Sequence, residues 1–155
     1  MKTALRMTLT RAVWSGGAAG LASALAAAAG AKRSRCTPYA ALNAVTHCLW
    51  QDAALREDAV SVRYTGLGAS IHLGSAVFWG VLFEALCGRD ARAGKVAAAA
   101  ATTAAVAYVV DYHVVPDRLT PGFEVHLSRQ ALGLTYLALA AGFAAAALAR
   151  SNSAR

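Results

Sequence analysis

QALGLTYLALAAGFAAAALA, residues Gln130–Ala149, is a run of 20 residues without one charged side chain. At about 1.5 Å of rise per residue, a helix of that length covers about 30 Å, the hydrocarbon thickness of a bilayer. Working outward from it, the chain repeats the pattern. Ala12–Ala31 is again 20 residues without charge. Gly66–Gly88 holds only His72 and Glu84 among the acids, bases and histidines, and Val96–Val110 is uncharged and runs on through Asp111 and His113 to Pro116. The blocks predict an all-α fold: an integral membrane four-helix bundle with spans near 12–31, 66–88, 96–116 and 130–149, forming one membrane domain over residues 1–155.

Composition points the same way. Of the 155 residues, 57% are hydrophobic and 15% are charged, where a soluble domain carries about 25% charge. The net charge of +7 does not mark a nucleic-acid binder. The basic residues sit at the ends of the apolar runs rather than on one soluble face, so the lipid bilayer is the expected partner and nucleic acid is not. The first run has a rival reading as a signal peptide, with Lys2, Arg6 and Arg11 ahead of small apolar residues. Its length, and the Lys32, Arg33 and Arg35 that follow at once, favour a retained helix.

Orientation is nearly balanced by charge. With both termini cytoplasmic, the inner segments hold Lys2, Arg6, Arg11, Arg89, Arg92, Lys95, Arg150 and Arg155, which is 8 basic residues. The outer segments hold Lys32, Arg33, Arg35, Arg56, Arg63, Arg118 and Arg129, which is 7. The short GRDARAGK turn, Gly88–Lys95, tips the choice toward cytoplasmic termini, because basic residues in short loops weigh most.

The first connection is expected to carry an amphipathic surface helix over about 38–56. Thr37 and Pro38 read as its start, and Leu42, Val45, Leu49 and Ala53 recur at helical spacing. Asn43, Thr46, Gln51 and Asp52 fall elsewhere on the wheel. Small residues four apart, Gly16, Gly20 and Ala24 in the first span and Gly66, Ser70 and Gly74 in the second, predict close packing of these two helices.

Topology gathers the polar residues. His47, His72, His113 and His126 all fall toward one side of the membrane. His72 and Asp111 enter the second and third spans to similar depths, about 9 Å and about 7.5 Å. An acid within a span needs a partner. His72 is the expected one, with Tyr108 on the same helix face as Asp111. His113, Glu124 and His126 extend this pair into a candidate polar or ligand cluster at the outer mouth. Glu84, near the inner face, is expected to pair with Arg89, Arg92 or Lys95, or to serve as an inner-side proton site. Thr120-Pro121 reads as an early start for the fourth helix. No zinc or haem spacing is present, and neither a metal nor a cofactor is expected. Cys36 and Cys48 would lie too far apart along a helix to bridge.

The segments LNAVTHCLW (Leu42–Trp50), IHLGSAVFWGVLFE (Ile71–Glu84) and DYHVVPDRLTPGFEVHLS (Asp111–Ser128) resemble a group of small bacterial inner-membrane proteins of unassigned function. The resemblance runs from Pro38 to about Ala140. It implies four spans and a bacterial origin, and it carries over no activity and no catalytic residues. The expected role is a non-enzymatic structural or assembly protein, partnered by itself or by other envelope proteins. The alternative is a small oligomeric transporter or ion-coupled permease using Asp111 and His72.

Overall fold

A computed structural model describes residues 2–88 and 92–153, with side chains over 6–88 and 92–152. Arg89, from the basic turn, lies outside the described residues. Everything regular among the described residues is helical. Four helices are long and apolar enough to cross a membrane: α1 (Lys2–Arg33), α5 (Leu67–Cys87), α6 (Ala93–Val109) and α7 (Arg129–Ser153). A wide turn at Val62–Gly66 leads into α5, and another at Val110–Val114 ends α6.

The four long helices run alternately up and down, in the ring order α1, α5, α6, α7. Helix α1 packs most extensively, with α5 on one side and α7 on the other. Glycine makes this possible. A Cβ on Gly16 would lie 2.5 Å from the Val77 Cα, and one on Gly80 would lie 2.7 Å from the Ala12 carbonyl oxygen. On the other flank, a Cβ on Gly142 would lie 2.5 Å from the Ala19 Cα. In lipid, where apolar burial gives no net drive, such close backbone approach is what holds helices together. The α1 stripe is as predicted, but α5 answers it with Ala76 and Gly80. Gly74 has open space around its Cβ position, so the Gly66–Ser70–Gly74 row does not form the interface.

The end of the bundle where α1 begins and α7 ends packs around aromatic rings. Phe83 and Phe143, both fully buried, stack with ring centroids 4.9 Å apart, among Cys87, Val96 and Ala147. The opposite end is covered by two connections. The first departs from the single surface helix expected over 38–56. It forms three short helices, α2 (Ala40–Ala44), α3 (His47–Trp50) and α4 (Asp52–Leu55). Gln51, at φ 48°, breaks α3 from α4. Val45 is buried as predicted, but Leu49 and Ala53 are exposed, and the inward groups include Asn43, Thr46 and His47.

The reason is a polar hub. Asn43 Nδ2 donates to the carbonyls of Glu57 (3.0 Å) and Ala59 (2.9 Å), and its Oδ1 accepts from Thr65 Oγ1 at 2.7 Å. Burying a well-satisfied amide fixes this connection better than an apolar stripe would. Thr37 donates its hydroxyl to the Asp58 carbonyl instead of capping a helix.

The second connection also differs from expectation. Helix α7 starts at Arg129, not at Thr120-Pro121, and Ser128 Oγ caps it by accepting from the Ala131 amide at 3.2 Å. Before it come two tight turns, Asp117–Leu119 and Phe123–Val125. Gly122 between them adopts φ 75°, and a Cβ there would lie 2.9 Å from the Ala44 carbonyl oxygen. That close, left-handed turn drives Phe123 inward, where it is buried.

Candidate functional site

Beneath the two connections, the bundle opens into a cavity of about 170 Å³. Every long helix contributes to or borders its wall: Ser23 from α1, His72 and Trp79 from α5, Asp111 from the turn ending α6, and Tyr136 from α7, with Phe123 above. His72 and Asp111, the pair singled out by depth, do meet the same space. They are not hydrogen-bonded to each other, which corrects the direct pairing expected from the sequence.

Each is held by another helix instead. His72 Nε2 lies 3.1 Å from the Gly20 carbonyl oxygen and 3.0 Å from Ser23 Oγ. A carbonyl only accepts, so Nε2 carries the proton, by assignment from this geometry. A neutral ring in that tautomer presents Nδ1 as a lone-pair acceptor, and no described residue bonds to it. The ring also leans on Phe123, with centroids 5.6 Å apart. At the end of α6, Asp111 Oδ2 accepts from the Tyr136 hydroxyl at 2.7 Å. Asp111 Oδ1 receives no hydrogen bond from the described residues. Two residues lining the cavity thus each keep an acceptor that no described residue fills.

Tyr136 was not anticipated. Its signal was available: with Thr135 it is one of the few polar side chains in the Gln130–Ala149 run. Tyr108, expected beside Asp111, belongs instead to an aromatic group with Tyr112, Tyr136 and His113. Its ring stands edge-on to Tyr136 at 5.3 Å and to His113 at 5.8 Å. Tyr112 adds a buried hydroxyl that makes no hydrogen bond of good geometry.

The rest of the predicted cluster does not converge on the cavity. His113 and Glu124 are exposed, and Glu124 accepts from Thr120 Oγ1 at 3.2 Å. His126 is half-buried, with its Nε2 enclosed and unpartnered. Burial pushes its pKa below the ordinary histidine range, opposed by the Leu55 carbonyl and the Asp58 charge. Among the described residues, no three His, Cys, Asp or Glu side chains come together as metal ligands.

His47 has a different task. Its Nδ1 lies 2.9 Å from the Ala44 carbonyl oxygen and its Nε2 3.0 Å from the Asp117 carbonyl oxygen. Arg118 Nε donates to the Cys48 carbonyl at 3.0 Å. Together they latch the second connection onto the first, so the two make one cover over the cavity.

Glu84 lies at the far end of the bundle, well away from this site. Arg150 on α7 is a partner that the structure shows: its terminal nitrogen donates to both carboxylate oxygens at 3.0 Å. The Glu84 side chain is 1% exposed and Arg150 35%, so the acid is buried under an arginine that reaches it from the rim. Comparison with protein families, curated proteins and solved structures finds no match for this chain.

Proposed function

We propose that this chain is a multi-pass bacterial inner-membrane protein with cytoplasmic termini, whose outer-end cavity binds a small molecule. One observation carries the binding role. A purely structural clamp would spend His72 and Asp111 on each other, whereas here each is fixed by a different helix and keeps an acceptor unused beside an open space. Cavities of about 150 Å³ accept a benzene-sized molecule, which sets the scale of the ligand. The mixture of apolar walls and a few placed polar groups is typical of small-molecule sites.

Transport is the second reading, favoured by the position of the cavity under a two-part cover. The stacked Phe83 and Phe143 close the other half of the bundle, so passage would require the helices to separate. Orientation rests on the basic turn: reporter fusions at residue 92 should read cytoplasmic, and fusions near 55 and 118 periplasmic.

The binding test uses Trp79, which lines the cavity. In a Trp14→Phe, Trp50→Phe background, benzyl alcohol should change Trp79 emission along a saturable curve. Ser75, another lining residue that is itself exposed, can accept bulk, and Ser75→Leu should abolish the response. A linear response indifferent to Ser75→Leu would mean partition into detergent and no site.

A further inference from the structure

We infer that the ligand of this cavity is a small lipophilic ammonium ion, about the size of a benzylamine, held by Asp111 and enclosed by aromatic rings. The inference rests on the cavity being a binding site, and it names the ligand's chemistry.

The wall has one carboxyl group and no lysine or arginine. Asp111 is anchored through Oδ2 by the Tyr136 hydroxyl at 2.7 Å, which fixes the carboxyl while leaving Oδ1 available. From the neighbouring helix, the Nε2 proton of His72 is committed to Gly20 and Ser23, so with the ring neutral Nδ1 offers a lone pair. Two spare acceptors and no spare charged donor call for a ligand that donates. A carboxylate or phosphate would meet Asp111 with like charge and find no cation to answer it. An ammonium has N–H donors for Oδ1 and Nδ1, and its positive charge suits the carboxylate.

The remaining lining selects the rest of the molecule. Trp79, Phe123 and Tyr136 present aromatic surface, which attracts a cation held over a ring face and also packs an apolar body. The volume of about 170 Å³ compares with the roughly 150 Å³ that holds benzene. A ligand of one ring or a short branched chain, with a single amine, fills it. A metal cation fits less well, since no three ligating side chains converge among the described residues.

Three probes of one shape separate the possibilities: benzylammonium, benzyl alcohol and benzoate, titrated at pH 7 into the purified full chain in nonionic detergent. The expected order is benzylammonium tightest, benzyl alcohol about tenfold weaker, as for loss of a charge-assisted hydrogen bond, and benzoate weakest. In Asp111→Asn the ammonium advantage over the alcohol should disappear, with a helical circular-dichroism spectrum and a cooperative melt reporting that the variant is folded. If Asp111→Asn does not fold, the wild-type order decides by itself. Equal binding of alcohol and ammonium would overturn the cation assignment and leave the binding site standing. A preference for benzoate, or an ammonium preference that survives Asp111→Asn, would overturn it as well. No saturable binding of any probe would remove both the site and its assignment.

Discussion

His72 on α5 and Asp111 at the end of α6 line one cavity without bonding to each other, and each is tied to a neighbour from another helix: His72 to Gly20 and Ser23 on α1, Asp111 to Tyr136 on α7. Their energetic independence can be measured. His72→Ala and Asp111→Ala should each destabilise by about 1–2 kcal/mol through loss of their own hydrogen bonds. Because they share no bond, the double variant should lose the sum of the two within about 0.5 kcal/mol. Asp111→Ala combined with Tyr136→Phe should instead show coupling, since that pair does share one. Recovery of stability in the His72/Asp111 double variant would mean the two interact after all.

Glu84 and Arg150 make the opposite kind of pair. Removing the arginine leaves a carboxylate that is 1% exposed without the two hydrogen bonds that Arg150 gives it. Arg150→Met should therefore cost roughly 3 kcal/mol, the low end for breaking a buried pair, because Arg150 retains contact with solvent. Replacing both, as Glu84→Leu with Arg150→Met, should restore most of that loss. Thermal unfolding in one detergent compares all three.

The helix contacts give a sharper contrast among glycines. Gly142→Ala places a Cβ 2.5 Å from the Ala19 Cα, whereas the Cβ positions at Gly74 and Gly133 meet nothing within 4 Å. Gly142→Ala should lower the unfolding midpoint by several degrees. Gly74→Ala and Gly133→Ala should leave it level or raise it, because alanine is the better helix former. A flat result across the three would contradict the α1–α7 contact.

His126 supplies a pH dependence. Its folded-state pKa lies below the ordinary 6.5 because burial disfavours the charged ring. Below pH 6.5 the unfolded chain takes up this proton before the folded one does, so the contribution is full above that pH and is lost as pH falls through the lowered value. Stability should decline on acidification through this window, and His126→Gln should flatten that part of the curve. An unchanged slope in His126→Gln would assign the decline to another group.

The four long helices were legible in the sequence because uncharged length is a strong signal, and counting residues brought His72 and Asp111 to the same end of the bundle, where they line one cavity. Depth does not fix azimuth, however. Which helix answers Asp111 depends on the ring order of the bundle, and that order comes from glycine contacts such as Gly142 against Ala19, spread over distant parts of the chain. The 38–56 connection misled for a different reason. Leu42, Val45, Leu49 and Ala53 carry a genuine helical period, but Asn43 buries its amide to satisfy three partners, and the backbone breaks at Gln51. Periodicity records apolar residues and is blind to a buried amide. The need of Glu84 for a base is legible from its place in an apolar run, whereas Arg150, 66 residues away, is a partner that local spacing does not reveal.

The most direct test of a ligand-accessible cavity is the reactivity of Cys48, whose side chain lines it. In a Cys36→Ser, Cys87→Ala chain held in membrane vesicles, Cys48 is the sole thiol, and its rate of modification by aminoethyl methanethiosulfonate can be followed. The account predicts measurable modification, slowed by benzylammonium over the same concentration range in which that probe binds. A Cys48 that does not react, or one whose rate is unchanged at saturating benzylammonium, would contradict it.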